Sequence, residues 1–166
     1  MFTWFTLFRF LHILAAIIAF GPSFVFPILG SFSNKEPMHG NFALRVGAAI
    51  EDRLVIPFAL TMPISGILMI VVSNGAVQWL RFWFLLAVAF YVLAMFIAVV
   101  IQRGIVHQMI HMTSHMPAPA PAGPGAASAG PPPEFLALVR RSQMNGMFLT
   151  LLLVLIVILM IFRPLS

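Results

Sequence analysis

Four apolar stretches divide this chain, and its polar residues are concentrated between these stretches and at their ends. The predicted spans cover residues 3–29, 54–73, 79–101 and 143–163. A helix that crosses the hydrocarbon core of a bilayer needs about 20 predominantly apolar residues at a rise of 1.5 Å per residue. The pattern therefore predicts an all-α protein, a four-helix transmembrane bundle in which residues 1–166 form one integral membrane domain.

The segments between the spans predict how the helices are connected. Only a few residues, beginning at Asn74-Gly75, separate the second and third spans, which favours antiparallel neighbours. Residues 117–133 contain seven Pro, six Ala, three Gly and one Ser. This composition cannot bury a core, so it predicts a flexible linker between the third and fourth helices. A polyproline ligand for a partner domain is the alternative interpretation.

Prolines within the spans predict local breaks in the helices. Gly21-Pro22 and Pro27 predict a kink in the second half of the first helix, because proline removes a backbone hydrogen bond. In the second span, Thr61 and Ser65 are placed to bond carbonyls that neighbouring prolines leave free.

Two further expectations concern the ends of helices. Asn41 is the predicted N-cap of a helix that runs through residues 43–52 into the second span. Trp79 and Trp83 are predicted to anchor the third span at the membrane interface, where tryptophan is enriched.

The composition agrees with an integral membrane protein and excludes several kinds of chemistry. Hydrophobic residues make up 61% of the chain and charged residues 8%, against about a quarter in soluble domains. The chain has no cysteine, so disulfides and thiolate metal sites are excluded. Its basic side chains lie mostly near helix ends, which predicts the lipid bilayer as the partner and no nucleic acid.

The distribution of Lys and Arg predicts the orientation of the chain. The two longer connections hold six of the nine basic residues, and the opposite side holds three. Because basic loops stay in the cytoplasm, both termini are predicted to lie outside. The six are Lys35, Arg45, Arg53, Arg103, Arg140 and Arg141; the three are Arg9, Arg81 and Arg163.

A histidine within the first span is one candidate for chemistry. Arg9 lies three residues before His12, on the same face of the helix. One interpretation is a hydrogen bond from His12 to a Ser, a Thr, Tyr91 or a carbonyl on a neighbouring helix. The other is axial ligation of haem b, with Arg9 near a propionate.

A second axial ligand is harder to find in the sequence. If the spans are level, His107 lies about 27 Å from the depth of His12, so the two histidines cannot share one haem. Met62 is the remaining candidate for a second ligand, at a depth similar to that of His12.

The end of the third helix carries a stripe of histidine and methionine. His107, His111 and His115 are spaced by four residues, a spacing that allows two of them to chelate one metal ion. Met112 adds a soft thioether that favours copper over zinc. The alternative is a helix end whose histidines face water and lipid head groups, favoured there by the helix dipole.

No catalytic motif decides whether the chain is an enzyme. It contains no P-loop, no GxSxG and no HExxH. The four carboxylates, at residues 36, 51, 52 and 134, lie outside the predicted spans, which argues against a proton-driven transporter.

Two groups of residues carry a resemblance to known families. Residues 10–16 and 20–24, together with 51–57 and 64–66, resemble a bacterial family of predicted integral membrane proteins (domain of unknown function 2269). The resemblance implies a bacterial plasma-membrane protein and brings no established activity.

The Leu-His pair of the first span distantly resembles copper-resistance D proteins and membrane-bound haem-containing protoporphyrinogen oxidases. That resemblance implies that His12 binds haem. The oxidases have a functional lysine at the start of the third span, whereas the basic residue here is Arg81. Arginine stays protonated and is a poor base, which puts the oxidase activity in doubt.

Three functional hypotheses follow. The first is a small membrane protein that binds haem b through His12 in electron transfer or tetrapyrrole handling. The second is a cofactor-free accessory subunit of a larger membrane protein complex. The third is copper handling through the stripe of histidine and methionine.

Overall fold

The computed structural model describes residues 3–73, 81–115 and 131–162, and those residues form helices and no strand. Four of the helical segments are long and apolar enough to cross a membrane. The prediction of an all-α protein with four membrane-spanning helices is confirmed. In chain order, the first to fourth spans are Trp4–Ser33, Gly40–Val72, Phe82–Ser114 and Pro133–Phe162.

The first span is interrupted near the middle. It consists of α1 (Trp4–Phe20), a 3-10 turn at Gly21–Phe24 and α2 (Phe26–Lys35). The interruption coincides with the predicted break at Gly21-Pro22. Pro27 lies in the first turn of α2, where a backbone N–H has no helical partner in any case.

The second span contains a π-helical turn between α3 (Gly40–Ile50) and α4 (Ile56–Val72). In this turn the backbone N–H of Ile56 bonds to the carbonyl of Glu51, five residues earlier. Pro57 follows directly and has no N–H to continue the α-helical pattern. The widened turn is therefore where the helix adjusts to its proline.

The third and fourth spans differ in regularity. The third consists of α5 (Phe82–Phe96), a second π-helical turn at Ile97–Gln102 and α6 (Arg103–Ser114). The fourth is a single helix, α7 (Pro133–Phe162). The predicted linker 117–133 lies outside the described residues apart from its last three. The predicted start of the third span at 79 and the predicted end of the fourth at 163 also lie outside them.

The helices pack in successive pairs along the chain. α1 packs on α4, α3 packs on α6, and α7 packs on α5 and α6. His12 contacts Ser65, whereas Phe26, later in the first span, approaches Gly47, earlier in the second. The first two spans therefore contact each other at both of these positions.

Polar contacts between spans link the same helices. Asn41 of α3 donates a hydrogen bond from Nδ2 to Oγ1 of Thr113 on α6, at 2.8 Å. The Nδ2 also donates to the carbonyl of Ile110, at 3.3 Å. The predicted N-cap role of Asn41 is wrong. The helix begins one residue earlier, at Gly40, and Asn41 uses its amide to bind α6 instead.

A small apolar cluster joins α5 to α7. It contains Trp83, Ala87 and Leu159, and Trp83 is only 5% exposed. The prediction that Trp83 is an anchor at the membrane interface is therefore wrong, because its indole packs inside the protein. Trp79 lies outside the described residues. Many large apolar side chains on all four spans are exposed, as expected where a helix faces lipid rather than water.

Candidate functional site

The contact between α1 and α4 is built from small residues and surrounds the intramembrane histidine. Ala15 and Ala19 are buried on α1, three and seven residues after His12, and so share its face of the helix. On α4, Ala59 and Ser65 are buried as well. Small residues let two helices approach closely within a membrane, which brings the backbone of α4 up to the imidazole.

His12 forms a hydrogen bond across this contact. Its Nδ1 lies 2.8 Å from Oγ of Ser65. The same Ser65 hydroxyl donates to the backbone carbonyls of Thr61, at 3.0 Å, and Met62, at 3.1 Å. A hydroxyl has one proton, and those carbonyls can only accept it. When Ser65 gives this proton to either carbonyl, its oxygen accepts from Nδ1–H of His12, and Nε2 of the neutral imidazole then carries the lone pair.

Gly66 lies beneath the imidazole ring. A Cβ atom at Gly66 would lie 3.6 Å from Cε1 of His12, which is ordinary van der Waals contact. The ring is thus held by a hydrogen bond at Nδ1 and by packing on its Cε1 edge. His12 also interacts by a hydrogen bond with the backbone of Met62. The predicted hydrogen bond to a neighbouring helix is confirmed, with Ser65 as the partner.

Arg9 and Met62 both lie near His12. Arg9 is exposed, one turn before His12 on α1, and forms no ion pair with any carboxylate among the described residues. Met62 is buried on α4, one turn before Ser65. Their roles toward a haem propionate and the haem iron stay predictions.

The histidine stripe lies along α6 and ends at His115, the C-cap residue of this helix. His107, His111 and His115 are all exposed, and the ring centroids of His111 and His115 are 4.6 Å apart. Over residues 3–73, 81–115 and 131–162, no three His, Cys, Asp or Glu side chains are arranged to hold one metal ion. His111 and Met112 line a cavity of about 520 Å³ between α6 and α7, together with Glu134.

Polar contacts near the two π-helical turns were not predicted from the sequence. Asp52 forms an ion pair with Arg103, with 3.2 Å between Oδ1 and Nε. Nε2 of Gln102 donates to Oγ of Ser142, at 2.7 Å. The sequence signal for these contacts is a pair of polar groups, Glu51-Asp52 in the second span and Gln102-Arg103 in the third. That signal shows neither which side chains pair nor that Glu51 is buried.

Comparison with known proteins places the chain in a family without assigning it an activity. No curated protein and no solved structure matches it. The resemblance to copper-resistance D proteins and haem-containing oxidases stays a prediction. The family described as "Predicted integral membrane protein (DUF2269)" matches residues 6–164, and the chain therefore belongs to this family.

Proposed function

We propose that this membrane protein binds haem b through Nε2 of His12, for electron transfer or tetrapyrrole handling. The observation that carries the proposal is the 2.8 Å hydrogen bond between Nδ1 of His12 and Oγ of Ser65. Histidines that bind metals commonly donate their other ring N–H to an oxygen acceptor, which fixes the tautomer and the orientation of the ring. Ser65 supplies that acceptor and leaves Nε2 as the nitrogen able to bind iron.

The residues around His12 fit the chemical needs of such a site. A bound haem would supply a one-electron iron couple, and a membrane helix bundle can hold it between facing helices. Ser65 holds the imidazole against rotation, and its own proton is engaged by backbone carbonyls of α4. The guanidinium of Arg9 would offset the negative charge of a propionate. Met62 is the proposed second ligand.

The experiment is a reduced-minus-oxidised absorption spectrum of the full chain, purified in mild detergent from cells supplied with a haem precursor. We expect the sharp reduced bands of a b-type haem. His12→Ala should lose these bands while keeping its helical circular dichroism. His39→Ala, which removes an exposed histidine between the first two spans, is the matched control and should keep them. A colourless wild-type protein, or unchanged bands in His12→Ala, would exclude the proposal.

A second candidate function, copper handling, is favoured by one observation on α6. The rings of His111 and His115 are near enough to share a metal ion, and Met112 lies beside His111 in the same cavity. Thioether and imidazole ligands together favour copper over harder ions. Bound copper should be lost in His111→Ala/His115→Ala and retained in His39→Ala. His107, one turn further into the span, is the proposed third ligand. Equal copper content in all three proteins would exclude this function.

The proposed location is a bacterial plasma membrane, with both termini outside. The integral membrane character follows from the family and the four spans, and the orientation rests on the six basic residues against three. A reporter fused within residues 117–133 should be active in the cytoplasm. A cofactor-free accessory subunit remains the competing proposal, which a stoichiometric partner co-purifying with colourless protein would favour.

A further inference from the structure

A second site, independent of His12, lies on α7 just before its apolar run. It is a wide-open cavity along one face of α7, which supplies all of its described lining. Its lining residues are Leu136, Ala137, Arg140, Arg141, Met144 and Asn145. The lining combines two adjacent guanidinium groups with large exposed apolar side chains, since Leu136 is 52% exposed and Met144 57%.

The positive charge of this cavity is not neutralised by the described part of the protein. Arg140 and Arg141 are exposed, and neither forms an ion pair there. Glu134 borders the neighbouring cavity with Arg141, without coming within ion-pair distance. The cavity therefore offers the donors of two guanidinium groups and, among the described residues, no carboxylate paired with them.

The position of the cavity along α7 identifies its depth. The continuous apolar run of this helix begins at Met147, six residues or about 9 Å beyond Arg141. The arginines thus lie at the level of the lipid head groups, and Met144 lies toward the acyl chains. A ligand with a phosphate at one end and a hydrocarbon chain at the other matches this order of side chains.

We propose that this cavity binds the head group of an anionic phospholipid, in the leaflet next to the connection between the third and fourth spans. Guanidinium groups bind phosphate oxygens in a bidentate manner. The first acyl-chain segment packs on Met144, which lies between the arginines and the apolar run. The exposed side chain of Met144 favours a lipid over free phosphate, which has nothing to bury against it.

The test is native mass spectrometry of the full chain in a neutral detergent with equal amounts of phosphatidylglycerol and phosphatidylcholine. We expect preferential retention of phosphatidylglycerol. A basic residue near an anionic surface strengthens binding about fivefold, so Arg140→Gln/Arg141→Gln should weaken retention roughly 20-fold. The matched control, Arg45→Gln/Arg53→Gln, removes the same charge from exposed positions of the second span and should retain the lipid.

Three results would overturn the proposal. Equal retention of the two lipids would show that the head-group charge is not recognised. An equal loss in both double variants would show that total charge, rather than this cavity, governs binding. Displacement of the lipid by inorganic phosphate alone would assign the cavity to a free anion. Circular dichroism of each variant checks that the helices remain folded.

Discussion

The hydroxyl of Tyr91 on α5 donates a hydrogen bond to the backbone carbonyl of Ala59 on α4. This carbonyl would normally accept from the residue four positions later, which is Pro63, and proline has no N–H. A side chain of the third span therefore satisfies a backbone group that a proline of the second span leaves free. Such compensation lets a proline persist in a membrane helix and links the two spans at that depth.

Tyr91→Phe should destabilise the protein by about 1 kcal/mol, because the Ala59 carbonyl would lose its donor in a medium without water. Reversible unfolding in mixed detergent micelles would measure this free energy. Pro63→Ala restores the backbone N–H that bonds to Ala59, so Tyr91→Phe should cost much less in a Pro63→Ala background. An equal cost in both backgrounds would show that Tyr91 stabilises the protein through packing alone.

The number and class of the helices could be predicted from hydropathy, because lipid requires long apolar segments with satisfied backbones. Side-chain pairing could not be predicted in the same way. Asn41 matched the chemistry of an N-cap, but α6 passes close enough for Thr113 to take its amide. Trp83 matched an interfacial anchor, but α7 covers it. In each case the side chain contacts a residue that is distant in the sequence, and the local sequence pattern does not show that contact.

The site at His12 shows the same division. The sequence identified the histidine and the class of its partner, since a buried imidazole needs an acceptor or a donor. It did not identify Ser65. The assumption that the spans lie level placed Met62 at the depth of His12, whereas the observed partner is three residues further along α4. Helix register is set by packing of Ala15, Ala19 and Gly66, which a depth estimate does not include.

Gly66 tests how closely the two helices must approach His12. A Cβ at Gly66 would meet Cε1 of His12 at 3.6 Å, so Gly66→Ala should leave stability within about 0.5 kcal/mol of wild type. Gly66→Val adds further atoms toward the ring and should displace the imidazole from Ser65, at a cost of about 1–3 kcal/mol. Unfolding measurements on both variants check this order. A large loss of stability in Gly66→Ala would mean that α1 and α4 pack more closely around His12 than the structure shows.

Arg103 lies at the junction of α6 with the second π-helical turn and pairs with Asp52 at 3.2 Å. The neighbouring Glu51 is only 9% exposed, and Arg103 is the positive charge near it. The Asp52 pair is partly exposed, so Asp52→Asn should cost less than about 1 kcal/mol. Arg103→Gln should cost more, because it also leaves the buried Glu51 without a nearby positive charge.

The contribution of Glu51 can be separated from that of Asp52. In a Glu51→Gln background, Arg103→Gln should lower the free energy of unfolding by about as much as Asp52→Asn does. No buried carboxylate then remains that could lose its positive neighbour. Unfolding free energies of the wild type, Glu51→Gln, Arg103→Gln and the double variant form the required cycle, with Asp52→Asn as the reference value. If Arg103→Gln costs the same with and without Glu51, the buried carboxylate does not depend on this arginine.

A hydrogen bond between the third and fourth spans tests the register of α7. Gln102 and Ser142 are hydrogen-bonded across the third and fourth spans, and the chain has no native cysteine. A short bifunctional thiol reagent should therefore cross-link the two spans in Gln102→Cys/Ser142→Cys. With a protease site inserted in residues 117–130, the cleaved fragments should stay together on a denaturing gel.

The control is Gln102→Cys/Ile161→Cys. Residue 161 lies about 28 Å further along α7 than Ser142, so the fragments of this variant should separate. Equal joining of both pairs would mean that α7 slides along its neighbours, and the register assigned to the fourth span would be wrong.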